Sequence, residues 1–167
     1  MASWKPSASS TSPDPAAPVL PPAGDRIAID VDGDFRHDGV VVTHPGTVAL
    51  FFRALEPDGI GGWRLRVGAE SCPVEVEDAP LVVRSIEATP EAVVLVLSDG
   101  ARETLDPATL RQGAGHVLYC AARGGAFPAR FSRPAYYMLA ELLEPADDGA
   151  FLLTVGGRAF RVVPCAE

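Results

Sequence analysis

The chain has 167 residues, 22% of them charged and 47% hydrophobic, with a formal net charge of −8 at pH 7. That length holds one medium domain or two small units sharing a core. The acidic balance argues against a general grip on nucleic acid, whose phosphates attract surplus Lys and Arg, and no apolar run reaches the roughly 20 residues that span a bilayer. Residues 1–24 carry six prolines and five serines and no continuous apolar core. A disordered tail rather than a secretory signal is expected there, with the cytoplasm as the default location. Cys72, Cys120 and Cys165 are odd in number and lack Cys-x-x-Cys spacing, so free thiols are expected.

From Arg26 to Val31 the residues alternate like a strand, and Asp32-Gly33 offers a hairpin turn into Phe35. Asp38-Gly39 punctuates again before Val40, Val41 and Val42. Thr43 or His44 is placed to cap a helix with Pro45 in its first turn. Val48, Phe51, Phe52 and Leu55 then fall at i, i+3, i+4 and i+7 on one apolar stripe. Glu56-Pro57-Asp58-Gly59 is expected to end that helix. Trp63, Leu65 and Val67 alternate with Arg64 and Arg66, and the chain returns toward Val74 and Val76. Pro80 cannot donate to a ladder, so the returning strand is expected to stop by Asp78 or Ala79.

The same order recurs 88 positions later. Tyr136, Leu139, Ala140 and Leu143 repeat the stripe, opened by Ser132 and Pro134. Leu55-Glu56-Pro57 recurs as Leu143-Glu144-Pro145, and Phe151, Leu153 and Val155 stand where Trp63, Leu65 and Val67 stood. An internal duplication is the expectation. A strand candidate from His116 to Ala121 is matched with Arg26 to Val31. Between the copies, Leu81–Ile86 and Ala92–Leu97 are continuous apolar runs suited to strands covered on both faces, and Asp99-Gly100 is a hairpin signal. The fold class expected is α+β. Its two similar sheet-plus-helix units span residues 25–78 and 79–163, the second with extra strands, and residues 164–167 form a short C-terminal tail.

The Val76-Glu77-Asp78-Ala79-Pro80 corner, the Trp63 strand before it and the Arg133-Pro134-Ala135-Tyr136-Tyr137 helix start resemble domain of unknown function 1285, a family of uncharacterised bacterial proteins. The resemblance runs from about Asp25 to Val163. It implies two similar α+β domains, the second superficially like a pleckstrin-homology fold. It also implies a groove between them that takes a nucleotide-like ligand in signal transduction.

No residue constellation dictates a reaction. Asp30-Val31-Asp32-Gly33-Asp34 looks like a calcium loop, but an EF-hand needs Gly at its sixth position and Glu at its twelfth, where this chain has Phe35 and Val41. His37, His44 and His116 lack an i+3 or i+4 partner of ligand type, so neither zinc nor any cofactor is expected. Glu77 and Asp78 are adjacent carboxylates on opposite sides of a strand end. They form either a solvated turn or a wall of a cleft between the units. Arg123, Arg130 and Arg133 surround the start of the second helix, where free N–H groups and the helix dipole favour an anion. Tyr136 lies on the core stripe, and Tyr137 is free to stack on a ligand. With Trp63 and His44, these residues make the candidate ligand-binding set Glu77, Asp78, Arg130, Arg133, Tyr137, Trp63 and His44. The leading reading is a non-enzymatic module with a small anionic ligand at the junction of its units. The alternatives are a protein-interaction scaffold and a hydrolase using Glu77 or Asp78 as base.

Overall fold

The computed structural model describes residues 20–22 and 24–164, so most of the expected N-terminal tail, Cys165 and the last residues lie outside the described residues. Leu20 is the exception within that tail. It is buried and belongs to the core, so the packed structure reaches back into the Pro-rich segment.

The first unit begins with the hairpin of β1 (Ile27–Ile29) and β2 (Phe35–His37), followed by β3 (Val40–Val41). Ile27 and Ile29 point into the core while Ala28 does not, as the period of two requires. His44 caps α1 (Pro45–Ala54), its Nδ1 accepting the Thr47 N–H at 3.2 Å. Phe51 and Phe52 meet Phe35 edge-on, with ring centroids 5.2 and 4.8 Å apart. The helix ends earlier than the sequence suggests. Leu55 turns extended and opens β4 (Leu55–Pro57), where it pairs with Leu65 of β5 (Trp63–Val67). The last position of the apolar stripe is thus filled by a strand residue. With β6 (Glu70–Val76), these strands form one sheet in the order β3-β2-β1-β6-β5-β4.

Past the Glu77–Pro80 corner come β7 (Leu81–Ala88), β8 (Val93–Leu97) and β9 (Arg102–Thr104), a meander the first unit lacks. Leu81, Val82 and Val83 are all almost fully buried, so that part of β7 is covered on both faces. In β8 only Val93, Leu95 and Leu97 are buried, with one face half open. β10 (Arg111–Gln112), β11 (Leu118–Ala122) and β12 (Phe127–Phe131) follow, then α2 (Arg133–Ala140), β13 (Leu143–Pro145), β14 (Phe151–Val155), β15 (Arg158–Arg161) and β16 (Val163–Pro164). They build a seven-stranded sheet, β16-β10-β11-β12-β7-β8-β9, and a three-stranded one, β13-β14-β15. The fold is α+β, with two α-helices and three sheets among the described residues.

The 88-residue recurrence extends to register. Leu55 faces Leu65 as Leu143 faces Leu153, and Leu65 faces Cys72 as Leu153 faces Phe160. Strand order recurs too. β1 pairs in parallel with β6, and β10 pairs in parallel with β16, into which β15 runs through Val162. The counterpart of β1 is therefore β10. The strand expected over His116–Ala121 occupies the place of β2 instead. A two-residue strand has no alternation to read, which is why the match fell on its longer neighbour.

The two units touch at named points. The turn at Gly33 packs so closely on β7 that an added Cβ would lie 2.8 Å from Val82 Cγ2. Trp63 lies against Phe127 with centroids 4.7 Å apart, and Arg84 pairs with Asp34 at 2.8 Å. Among the described residues, no helix is long and apolar enough to cross a membrane.

Candidate functional site

The end of β12 delivers Arg130 and Phe131 to the start of α2, where Ser132 caps the helix and Arg133 is its first residue. Opposite them, the 3-10 turn Ala114–His116 takes Gly115 and His116 through positive φ (64° and 62°). The two segments line a cleft of about 280 Å³ whose wall includes Arg130, Arg133, Tyr136, Tyr137 and His116, and among the described residues no acidic side chain. Three of the expected residues, Arg130, Arg133 and Tyr137, therefore share one cleft.

The three arginines that the sequence groups together have separate fates. Arg123 is spent at the junction of the units. Its guanidinium donates to Asp99 at 2.8 Å and to the Phe52 carbonyl at 3.0 Å, and it lies 4.6 Å over the Phe127 ring. Arg130 donates to Asp78 Oδ2 at 2.8 Å, and the Tyr119 hydroxyl donates to the same carboxylate at 3.0 and 3.1 Å. Arg133 is exposed, and its side chain has neither an ion pair nor a hydrogen bond among the described residues. The pairing across the corner is thus Arg130 with Asp78.

The helix start offers fewer amides than the sequence suggests. Pro134 has no N–H, and Ser132 Oγ accepts the Ala135 N–H at 3.3 Å. Within the first three helical positions only the Arg133 N–H remains without a protein acceptor among the described residues. Attraction for an anion therefore rests on the arginine side chains more than on the dipole.

The remaining expected residues lie elsewhere. Glu77 Oε2 accepts the Val31 N–H at 3.2 Å and faces a hollow beside Asp30 and Arg36. Trp63 packs on Phe127 at the junction. His44 is the α1 cap. Asp78 does not line the arginine cleft; it borders a shallower hollow on the side of Tyr119 and Arg111. It reaches the cleft only through Arg130. His116 was missed as a wall residue, although Gly113-Ala114-Gly115 before it signals a tight turn. Asp25, His37 and Asp38 also meet, His37 Nε2 lying 2.6 Å from Asp25 Oδ2, while Asp38 Oδ1 accepts the Arg26 N–H.

Several carboxyls away from the cleft are shifted, and all shift toward the ionised form. Burial pushes Asp30 up, but N–H donors from Asp34, Arg36 and Asp32 outweigh it and bring it below its ordinary value. Arg64 and Arg66 lower Glu56, the Ile60 and Gly62 amides lower Asp58, Arg102 lowers Glu87, and Arg161 lowers Asp148. Burial moves two thiols the other way, raising Cys72 and pushing Cys120 up to about 12.

No family model matches the chain, and no curated protein matches it. Two solved structures do. A DUF1285 family protein from Silicibacter pomeroyi DSS-3 is 25% identical, covers 92% of this chain and 89% of its own, and superposes with a TM-score of 0.70. A DUF1285 family protein from Shewanella baltica OS155 shares the fold at 22% identity and a TM-score of 0.58, over 71% of this chain and 92% of its own. On that likeness, which spans 92% of the chain in the first case and 71% in the second, the chain is similar in fold to DUF1285 family proteins.

Proposed function

We propose that this is a non-enzymatic, cytoplasmic ligand-binding module whose cleft at the start of α2 holds a small anionic, nucleotide-like ligand in a signalling role. One observation carries the reading. In a protein of net charge −8, the described residues of the cleft wall include two arginines and no acid, and among the described residues the Arg133 side chain has no partner. A planar guanidinium without a carboxylate is a ready fork for an anionic group. Tyr137, 61% exposed beside it, is a surface for a flat ring. The volume of about 280 Å³ sits at the small end of ligand pockets, which run from about 300 Å³ upward. The hydrolase alternative draws no support from Glu77 and Asp78. Asp78 is occupied by Tyr119 and Arg130, and Glu77 by the Val31 amide. A common origin for the two units belongs to the same proposal, supported by the shared register.

The test is thermal unfolding with a panel of cyclic mononucleotides, whose phosphodiester is singly charged, and with benzenesulfonate, for the native protein and Arg133→Ala. A ligand at 100 times its Kd should stabilise the native protein by about 2.7 kcal/mol. The variant should melt like the native protein without ligand and gain nothing with it. No shift with any anion contradicts the reading. In that outcome the scaffold alternative gains, and the exposed apolar residues Met138, Leu142 and Phe151 near the cleft are its best surface.

A further inference from the structure

We infer that the cleft takes a singly charged anionic group carried on a flat ring, and that Asp78 sets this charge preference. The inference rests on the ligand-binding reading above and adds the charge class of the ligand. It starts from a count of charge around the cleft. Among the described residues its wall carries two guanidiniums and no carboxylate. Arg130 is not free, because Asp78 holds its Nη1 at 2.8 Å from outside the wall. Asp78 is itself fixed from a second side by the Tyr119 hydroxyl, which donates to both carboxylate oxygens. It is therefore anchored to stay with Arg130 when a ligand arrives. His116 is the remaining titratable group facing the cleft besides the tyrosines, and its Nδ1 lies 3.1 Å from Gln112 Nε2. Among the described residues one guanidinium of the wall is uncompensated, that of Arg133.

A monoanion on Arg133 closes that balance. A dianion brings a second negative charge toward Arg130, where Asp78 already stands, and like charges brought together oppose binding. The ring requirement comes from the wall itself. Tyr136 and Tyr137 meet edge to face at 5.5 Å, and the outer ring is the exposed one. A flat group bonded to the anion reaches that ring within one helical turn of Arg133. Aryl carboxylates, sulfonates and phosphodiesters share this chemistry.

Benzenesulfonate and phenyl phosphate separate the charge classes while keeping the ring, because phenyl phosphate is a dianion at pH 8. Titration calorimetry at pH 8 should show the native protein binding benzenesulfonate about tenfold more tightly than phenyl phosphate, the factor expected for one like-charge contact near a surface. Asp78→Asn should tighten phenyl phosphate about tenfold, on the same argument, and leave benzenesulfonate within about threefold. Arg130→Gln, which leaves Asp78 uncompensated, should weaken both probes, and phenyl phosphate more. A melting curve of each variant confirms that it is folded. An unchanged ratio in both variants, or a native preference for phenyl phosphate, overturns the role of Asp78. If Arg133→Ala then abolishes both probes, the ligand-binding reading survives without it. If neither probe binds the native protein or Asp78→Asn, both the inference and the ligand-binding reading fall.

Discussion

At the scale of single residues, side chains that look interchangeable are divided by what sits opposite them. Arg123 and Arg133 are ten positions apart, yet one fastens the molecule and the other has no side-chain partner among the described residues. The Asp99 side chain is only 7% exposed, and removing its partner leaves a nearly buried charge. Arg123→Ala should therefore cost about 3 kcal/mol in urea unfolding, at the low end for breaking a buried pair because the Arg123 side chain is 27% exposed. A loss below about 1 kcal/mol, as for a surface pair, would show that the junction is held elsewhere. Cys120 gives a pH signature. Its folded-state value, about 12, lies above that of an unfolded thiol, about 8.5. Its stabilising contribution is thus complete below the unfolded value and lost as pH rises toward 12. Between those limits the native protein should lose stability relative to Cys120→Ala by about 1.4 kcal/mol per pH unit. Parallel profiles would contradict the burial of that thiol.

At the scale of elements, α1 buries Phe51 and Phe52 of its stripe, whereas α2 buries only Leu139 of its own, together with Ala135, and leaves Tyr136 half-buried at the cleft. Phe51 and Leu139 are equivalent positions, 3% and 0% exposed. Truncating either to Ala should cost about 2–5 kcal/mol, measured by denaturant unfolding; an effect under 1 kcal/mol would mean that the stripe faces the wrong way. The caps His44 and Ser132 and the hairpin turns were legible because each rests on local chemistry. What the sequence hid was non-local or too short. β4 was read as a helix end because Leu55 continues the helical period even as its backbone turns extended. β10 was missed at two residues. The Arg130–Asp78 pair is separated by 52 positions, and no periodicity announces it. The cleft was half legible for the same reason. Arg130, Arg133 and Tyr137 cluster in sequence around a helix start, whereas His116 arrives from another turn.

At the scale of the whole molecule, one pattern of helix and sheet appears twice, and the added meander β7–β8–β9 extends the second sheet beyond β12. The units meet through Trp63 on Phe127, Arg123 on Phe52 and Gly33 on Val82. Gly33 sits at φ +80° with no room for a Cβ, so Gly33→Ala should lower the unfolding midpoint by more than the usual cost of losing a glycine conformation, about 1 kcal/mol. The described residues that line the cleft all belong to the second unit. The central claim is that Arg133 receives an anion. An NMR titration that follows the arginine Nε–Hε resonances while benzenesulfonate is added tests it most directly. The account predicts a saturable shift at Arg133, a smaller one at Arg130 and none at Arg123. Equal, unsaturable drift of all three, or a response confined to other arginines, would contradict it.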